Sequence, residues 1–387
     1  MRRKKLDIPF GRPWITDEDR DAVMEVLKGH ILTHGPMCAH FEAEFVDMMG
    51  SGFATTTSSC MAALHLSNIH LGLGPGDEVI VPAMTHVATV HAVELTGATP
   101  VFIDCELHSG NLRIEAIEAA ITEQTKSISV VHFNGIPCDM RQVMQVAEKY
   151  DLPVVEDCAL AVGARIDGRH VGLFGETGCY SFYPVKHITT GDGGMLVSRH
   201  KNVVGAISRF RAFNVDRTHT EREIPGIYDV VGVGMNYRMS EMQAALGRTQ
   251  LNRVPEILKR RAENFHFLKE GLSQISDVSV LDARGNGIES SYYCLTAVLS
   301  GALTRKRNEL VLELNKRGIG TSIYYPHPVP RLSYYRTKYG YDSAAYFGAE
   351  VISDRSIALP VGPHLDSKAM TAITDNFCGI VDGLTGS

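Results

Sequence analysis

The feature that most constrains the fold is a regular alternation of short apolar segments and helical segments through about residue 200. The apolar segments DEVIVPA, TPVFIDCE, SISVVHF and LPVVEDC have the length and composition of buried strands. Helical patterns surround them: TDEDRDAVMEVLKG, SCMAALHLSNIHLGLG, THVATVHAVELTGA and DMRQVMQVAEKY. Strands that alternate with helices predict an α/β fold, in which helices cover a mostly parallel sheet.

A different pattern begins near Ser240, where a long helical stretch is interrupted by Pro255. It is followed by the strand pattern YYCLTAVLS, the helix TRKRNELVLELNKRG, a short strand IGTSIYY, and a last helix near DSKAMTAITDNFCGIV. A chain of 387 residues is long for one core. We therefore predict a large domain over residues 1–250, with an N-terminal arm, and a small α+β domain with a linking helix over residues 251–387.

Composition excludes several classes of protein. The formal net charge of -6 argues against a nucleic-acid binder, which needs a basic surface. The apolar runs are too short to span a membrane, and the basic start MRRKK lacks the apolar core of a signal peptide. None of the eight cysteines forms a CxxC pair, so no metal site is predicted. Unpaired cysteines inside apolar runs favour a reducing compartment, and we expect a cytoplasmic protein.

Three loops carry polar residues that we expect beyond the carboxyl ends of strands, where ligands bind in open α/β sheets. TTSSCMAALHL begins a helix whose free N–H groups could hold a phosphate, although Ser59 could equally be a plain helix cap. VVEDC ends a strand in Glu156 and Asp157, which could hold a protonated ring nitrogen or cap the next helix. SFYPVKHITTGDGG contains Lys186, and an isolated lysine is usually solvated.

Taken together, these loops indicate pyridoxal 5'-phosphate (PLP). A helix start suits the phosphate, Asp157 the pyridine nitrogen, and Lys186 the aldehyde, with which it forms an imine. His86, just beyond another strand, could stack on the flat ring.

The chain resembles the DegT/DnrJ/EryC1/StrS family of sugar aminotransferases. The most specific segments are GPGDEVIVPAMTHVATV, VVEDCALAVGA, SFYPVKHITTGDGGMLV and MNYRMSEMQAALG, and the similarity covers nearly the whole chain. The resemblance implies a fold-type I PLP-dependent transferase with a seven-stranded sheet. It makes Lys186 the catalytic Schiff-base lysine and proton carrier. The implied cofactor-binding residues are Ser59, Cys60, Met61, His86, Asp157, Ser181, Lys186 and Asn236, with Asn236 acting on the neighbouring subunit of a homodimer.

Two positions depart from the family pattern. Met61 stands where a threonine is usual, which removes one hydroxyl from the phosphate site. Leu160 stands where glutamine or histidine is usual, so one polar contact to the cofactor ring is expected to be lost. Neither change removes a group that transamination requires, but both bear on cofactor affinity and orientation.

The resemblance also bears on the reaction. Some family members are sugar 3-dehydratases, in which histidine replaces the lysine, so Lys186 favours an aminotransferase. The expected donor is an amino acid, glutamate by resemblance, and the expected acceptor is a nucleotide-linked keto-deoxysugar. A cyclitol or free keto-sugar acceptor remains an alternative, as does a PLP-binding homologue without turnover. The residues expected to bind substrate are His187, Arg238, Tyr325 and His327; the segment IYYPHPVPRLSYY could also be a packed aromatic turn.

Overall fold

The computed structural model describes residues 6–216, 223–224 and 226–386. The basic start MRRKK lies outside these residues. Within them, no helix has both the length and the apolar character needed to cross a bilayer.

A seven-stranded sheet forms the centre of the larger part of the molecule. Its strands are β1 (Phe53–Thr57), β2 (Glu78–Pro82), β3 (Thr99–Ile103), β4 (Thr125–Val131), β5 (Val154–Asp157), β8 (Thr177–Ser181) and β9 (Gly194–Ser198). The spatial order is β1-β9-β8-β5-β4-β2-β3. All pairings are parallel except the two made by β9, which runs antiparallel to β1 and β8. The predicted α/β fold with a mostly parallel sheet is therefore confirmed.

Helices cover both faces of this sheet and continue into the C-terminal part. They are α1 (Asp17–Lys28), α2 (Pro36–Met49), α3 (Cys60–His70), α4 (Val87–Glu94), α5 (Ile117–Ala120), α6 (Met140–Lys149), α7 (Lys201–Phe210), α8 (Glu241–Leu251), α9 (Val254–Leu272), α10 (Arg307–Lys316), α11 (Ser333–Tyr339), α12 (Phe347–Arg355) and α13 (Ser367–Thr385). The first helix begins as its sequence predicts, because Thr16 and Asp19 form a reciprocal capping box.

The interruption of the long helical segment is real but lies slightly before Pro255. Helix α8 ends at Leu251 and α9 begins at Val254, with Pro255 in its first turn. Proline is tolerated there because the first N–H groups of a helix have no partner within the helix. Helix α9 then leads from the large sheet to the C-terminal part of the chain.

A second hydrophobic core surrounds a three-stranded antiparallel sheet, built from β10 (Val278–Val280), β12 (Leu295–Leu299) and β13 (Ser356–Leu359). The strand predicted for IGTSIYY is wrong. That segment forms only isolated bridges, from Ile319 to Ile8 and from Ser322 to Ala358. Bridges on two different partners hold an extended chain without making it a sheet strand. The division at residue 250 remains a prediction.

A small sheet absent from the sequence interpretation joins the two parts. It contains β6 (Arg165–Ile166), β7 (Arg169–His170) and β11 (Ile288–Glu289), and β11 pairs with β6 across more than a hundred residues of chain. Two-residue strands leave no periodic signal in a sequence, which is why they were not predicted.

Candidate active site

Lys186 lies in the loop between the antiparallel strands β8 and β9. Its Nζ lies 5.3 Å from the centre of the Tyr293 ring. Desolvation by the surrounding groups lowers the pKa of Lys186 to about 8, although the nearby Cys60 and Asp157 favour the charged form. A lysine in this state carries a substantial fraction of neutral amine near physiological pH, unlike an exposed lysine.

Asp157 ends β5 and is buried. Its Oδ2 accepts a 2.7 Å hydrogen bond from the Thr89 hydroxyl, and its Oδ1 accepts one of 3.0 Å from the main-chain N–H of Ala159. The Cys60 thiol lies 3.9 Å from Oδ1. These partners fix the carboxylate at the carboxyl edge of the sheet. Thr89 was missed in the sequence analysis, since its partner is 68 residues away.

Ser59, Cys60 and Met61 form the start of α3. The Ser59 hydroxyl accepts a 3.1 Å hydrogen bond from the N–H of Ala62, so the serine is a helix cap. Gly194 lies directly against this turn, because a Cβ at Gly194 would be only 2.5 Å from the carbonyl carbon of Ser59. Ser181 is buried at the end of β8, and its hydroxyl accepts a 3.4 Å bond from the N–H of Tyr183. Hydroxyls and helix N–H groups thus occur together at these strand ends, as an anion requires.

His86 is the N-cap of α4, and its Nδ1 accepts a 3.1 Å hydrogen bond from the N–H of Ala88. Its ring lies edge-on to Tyr325, with the centroids 5.5 Å apart. Desolvation lowers the pKa of His86, which favours the neutral, stacking form of the ring. Tyr325 also contacts Phe133, and its neighbour Tyr324 contacts Tyr293. The rings of Tyr325, Phe133, Tyr324 and Tyr293 therefore form an aromatic wall along one side of the site.

His187 is buried beside Lys186, and its Nε2 donates a 2.8 Å hydrogen bond to the carbonyl of Ser291. Burial, and then the Arg261 guanidinium, place the pKa of His187 well below its ordinary value. The side chain thus ties the lysine loop to the segment before β12. Its role in binding substrate remains a prediction.

His327 is exposed and lies beyond Tyr325 on the same segment. Its Nδ1 faces the guanidinium of Arg331, at 3.1 Å from Nε and 2.7 Å from one terminal nitrogen. The segment is therefore partly a packed aromatic turn, at Tyr324 and Tyr325, and partly an exposed polar loop.

Asn236 and Arg238 lie together before α8. The Arg238 Nε donates a 2.9 Å hydrogen bond to the amide oxygen of exposed Asn236. Arg238 also contacts His34 and lies over the Phe213 ring, 5.0 Å from its centre.

Leu160 is buried in an apolar cluster with Tyr293 and Cys294. The Ser291 hydroxyl donates a 2.9 Å hydrogen bond to the Leu160 carbonyl. An apolar side chain at this position therefore packs beneath the aromatic wall.

His132, Glu156 and Cys158 could suggest a metal site, because their ligand atoms lie within 4.8 Å of one another. Their hydrogen bonds indicate a structural role instead. Glu156 accepts bonds of 2.6 to 2.8 Å from the N–H groups of Gly172, Phe174 and Gly175, and lies 3.1 Å from Nε2 of His132. The His132 Nδ1 accepts from the N–H of Cys138, so Nε2 carries the ring proton and donates it to Glu156.

The donor set fits PLP by its chemistry. A lysine with a lowered pKa can form an imine, a buried carboxylate can pair with a ring N–H, and hydroxyls with helix N–H groups can hold a phosphate. The close approach of Gly194 to the start of α3 leaves this turn no room for a larger side chain. On an open α/β sheet, these features define a PLP-dependent transferase.

Comparison with known proteins gives the family. The sequence pattern of the DegT/DnrJ/EryC1/StrS aminotransferase family matches residues 13–377, and the chain belongs to this family. It is 33% identical to GDP-perosamine synthase of Escherichia coli O157:H7, over 95% of this chain and 97% of that protein. It is 32% identical to the spore coat polysaccharide biosynthesis protein SpsC of Bacillus subtilis strain 168, over 99% of both chains.

Solved structures agree. The chain superposes with a TM-score of 0.92 on the PMP form of Spr1654 from Streptococcus pneumoniae, described as a sugar aminotransferase. The identity is 29%, and the alignment covers 98% of this chain and 100% of that one. Spr1654 has also been solved in a PLP form. The protein is therefore a PLP-dependent sugar aminotransferase.

Proposed function

We propose that this enzyme transfers an amino group from glutamate to a nucleotide-linked keto-deoxysugar. The observation that carries the proposal is the 33% identity, over 95% of the chain, to GDP-perosamine synthase, whose name specifies a nucleotide-linked aminosugar product. The similarity to SpsC supports a destination in polysaccharide synthesis.

When bound, PLP supplies an aldehyde that exchanges amines and a ring that accepts electrons from the carbon next to nitrogen. Lys186 is the residue that would anchor it and then carry protons on Nζ. The lowered pKa of Lys186 supports this role, because the neutral amine is the form that attacks an aldehyde and accepts a proton.

Asp157 would keep the proton on the ring nitrogen. Its two oxygens are oriented by Thr89 and Ala159, which supports a fixed carboxylate at this place. Ser59, Ser181 and the N–H groups of Cys60 and Met61 would hold the phosphate, and His86 would stack on the ring. We propose that Tyr293, above the lysine, limits access of water to Nζ.

We propose further that the active unit is a homodimer in which Asn236 reaches the partner's phosphate site. Support comes from the apolar surface just before Asn236. Ile227, Val230, Val231 and Val233 are exposed, Val233 to 86%. A run of exposed β-branched residues on a soluble enzyme is typical of a protein contact.

The experiment supplies the PLP-loaded enzyme with glutamate and, separately, guanosine-, uridine- or thymidine-diphosphate-linked keto-deoxysugars. The same keto-sugar without its nucleotide and a cyclitol ketone are the matched comparisons. Formation of 2-oxoglutarate and the mass of the sugar product are measured. We expect turnover with at least one nucleotide-linked acceptor and at least tenfold lower kcat/KM for its free counterpart.

Equal or faster turnover with the free keto-sugar or the cyclitol would overturn the acceptor class. Loss of water from the sugar without formation of 2-oxoglutarate would indicate a dehydratase. Turnover only with another amino acid would overturn the assignment of glutamate as the amino donor. A protein that binds PLP but converts no acceptor with any donor would be the non-catalytic homologue.

A further inference from the structure

The side chains of His327, Arg331 and Asp354 form a connected group at the C-terminal side of the site. The Arg331 guanidinium forms a two-pronged ion pair with the Asp354 carboxylate, with one contact at 2.9 Å. The same guanidinium faces Nδ1 of His327 at 3.1 and 2.7 Å. Its terminal nitrogen also makes a long, 3.5 Å contact with the carbonyl of Pro326.

This arrangement determines the protonation state of the His327 ring. A guanidinium has only donors and keeps its charge in proteins, so the nitrogen that faces it must accept. Nδ1 of His327 therefore carries no proton, and the single proton of the neutral ring is on Nε2. Protonation of Nδ1 would place two donors against each other at 2.7 Å.

The surroundings of the His327 ring also favour its neutral form. Desolvation, and then the charge of Arg331, lower the pKa of His327; Asp354 opposes this and Arg307 adds to it. Glu350, on the same helix as Asp354, lies 3.8 Å from Arg331. The net effect of burial and these charges is a lowered pKa of His327, in the same direction as the contact at Nδ1.

The position of His327 indicates a function for the neutral ring with its proton on Nε2. His327 is two residues after Tyr325, whose ring contacts His86, and the loop therefore leads out of the site to an exposed imidazole. An exposed N–H on a ring that is held at its other nitrogen is a directed hydrogen-bond donor.

We propose that Arg331, held by Asp354, is a positioning residue that fixes His327 as a neutral Nε2–H donor for an oxygen atom of the sugar-nucleotide acceptor. The proposal rests on the proposed function, because it requires an acceptor substrate that reaches this loop. It predicts that binding of the acceptor, and not binding of the amino donor, depends on Arg331.

The test compares Arg331→Met with Arg336→Met in the PLP-loaded enzyme. Arg336 is exposed on α11 and forms no ion pair or side-chain hydrogen bond within the described part of the chain, so it is a matched control. Long-range proton–nitrogen NMR of labelled histidines reports the tautomer, with His327→Gln to assign the signal. We expect the Nε2–H tautomer at pH 8 in the wild type and in Arg336→Met. In Arg331→Met, the pKa of His327 should rise relative to both, because the charge of Arg331 and its contact at Nδ1 disfavour the protonated ring.

Steady-state kinetics with the acceptor identified above supply the second readout. We expect the KM for the sugar nucleotide to rise about tenfold in Arg331→Met at pH 8, where the neutral ring can adopt the other tautomer, with the KM for glutamate unchanged. The sugar KM of this variant should fall again as the pH drops and the ring becomes protonated, because both nitrogens then carry a proton. Arg331→Lys, which keeps the charge, should recover part of the loss.

An unchanged tautomer and titration in Arg331→Met would overturn the proposal. So would a changed tautomer with no effect on the sugar KM, since the ring would then serve no substrate. Either result leaves the proposed function intact, because that function is measured by turnover of the wild-type enzyme.

Discussion

The Thr89 hydroxyl donates a 2.7 Å hydrogen bond to Oδ2 of Asp157, and it is itself 2.8 Å from the Thr85 hydroxyl. Helix α4 therefore orients a carboxylate at the end of β5. His86 caps the same helix. One short helix thus connects the residue expected to stack on the cofactor ring with the residue expected to pair with its nitrogen.

Asp157→Asn should lower kcat roughly a hundredfold while leaving the fold and the imine absorption in place, because the ring nitrogen loses its charge partner. Thr89→Val should lower kcat about tenfold, since the carboxylate of Asp157 keeps its charge but loses one orienting hydrogen bond. Thr96→Val, near the other end of α4, is the matched control and should behave as wild type. Unchanged kinetics in Asp157→Asn would move the ring-nitrogen role to another residue.

Lys186→Ala should abolish the visible absorption of the lysine–cofactor imine and lower turnover by about a thousandfold or more, because no other group supplies the amine. Absorption spectra and single-turnover rates check both effects. The control is Lys201→Ala, an exposed lysine at the start of α7. Near wild-type transamination by Lys186→Ala would show that the assignment is wrong.

The pKa of about 8 for Lys186 predicts the pH dependence of cofactor reconstitution. The folded apoenzyme holds a lysine whose pKa lies below the ordinary value, so the reactive neutral fraction grows as pH rises and is nearly complete above that value. The rate of imine formation with PLP should rise about tenfold per pH unit below pH 8 and level off above it. A rate that still climbs steeply from pH 9 to 10 would indicate an ordinary, exposed amine.

Asn236→Ala should raise the dissociation constant of PLP, and mixing should reveal which subunit it serves. Asn236→Ala and Lys186→Ala homodimers are each impaired, but a mixed dimer has one site without either defect if Asn236 acts across the interface. Activity should reappear on mixing, to about half of the wild-type value per mixed dimer under ideal independence of the two sites. Heterodimers that form and remain inactive would place Asn236 in its own subunit's site.

Glu156→Gln should destabilise the protein by roughly 1–3 kcal/mol, because an amide NH2 group replaces one of the two oxygens, and each oxygen accepts from at least one main-chain N–H group. Urea unfolding checks this, with exposed Glu148→Gln as the control. A chelator should leave the unfolding midpoint of the wild type unchanged. A midpoint that falls with chelator and recovers with added zinc would show that His132, Glu156 and Cys158 bind metal.

The sequence predicts strand ends better than it predicts contacts between them. Apolar periodicity locates β5 and hence the place of Asp157, because burial of a whole strand leaves a continuous signal. The hydrogen bond from Thr89 to Asp157 leaves no such signal in the sequence, since it depends on how α4 packs over the sheet. The same reason explains His327: a turn-rich segment shows that the histidine lies in a loop, whereas its tautomer depends on Arg331, which in turn depends on Asp354 in α12.

The failed strand at IGTSIYY has a related cause. The segment has β-branched and aromatic residues in the right proportion, but its possible neighbours are the N-terminal arm at Ile8 and the end strand at Ala358. Each offers a single bridge, and continuous pairing requires a partner that runs alongside. The composition of a segment indicates that it can form a strand, but it does not indicate whether another strand runs alongside to pair with it.

Strands β8 and β9 pair as neighbours, so that Ser181 faces Gly194 across the ladder. The whole lysine loop, residues 182–193, thus leaves and re-enters the sheet at one residue pair. The strands fix the ends of this loop, and the rest of the fold holds its interior, because Phe182 and Ile188 are buried in the core of the large sheet and His187 is bonded to the carbonyl of Ser291. The position of Lys186 is therefore set both by the register of two neighbouring strands and by contacts that come from distant parts of the chain.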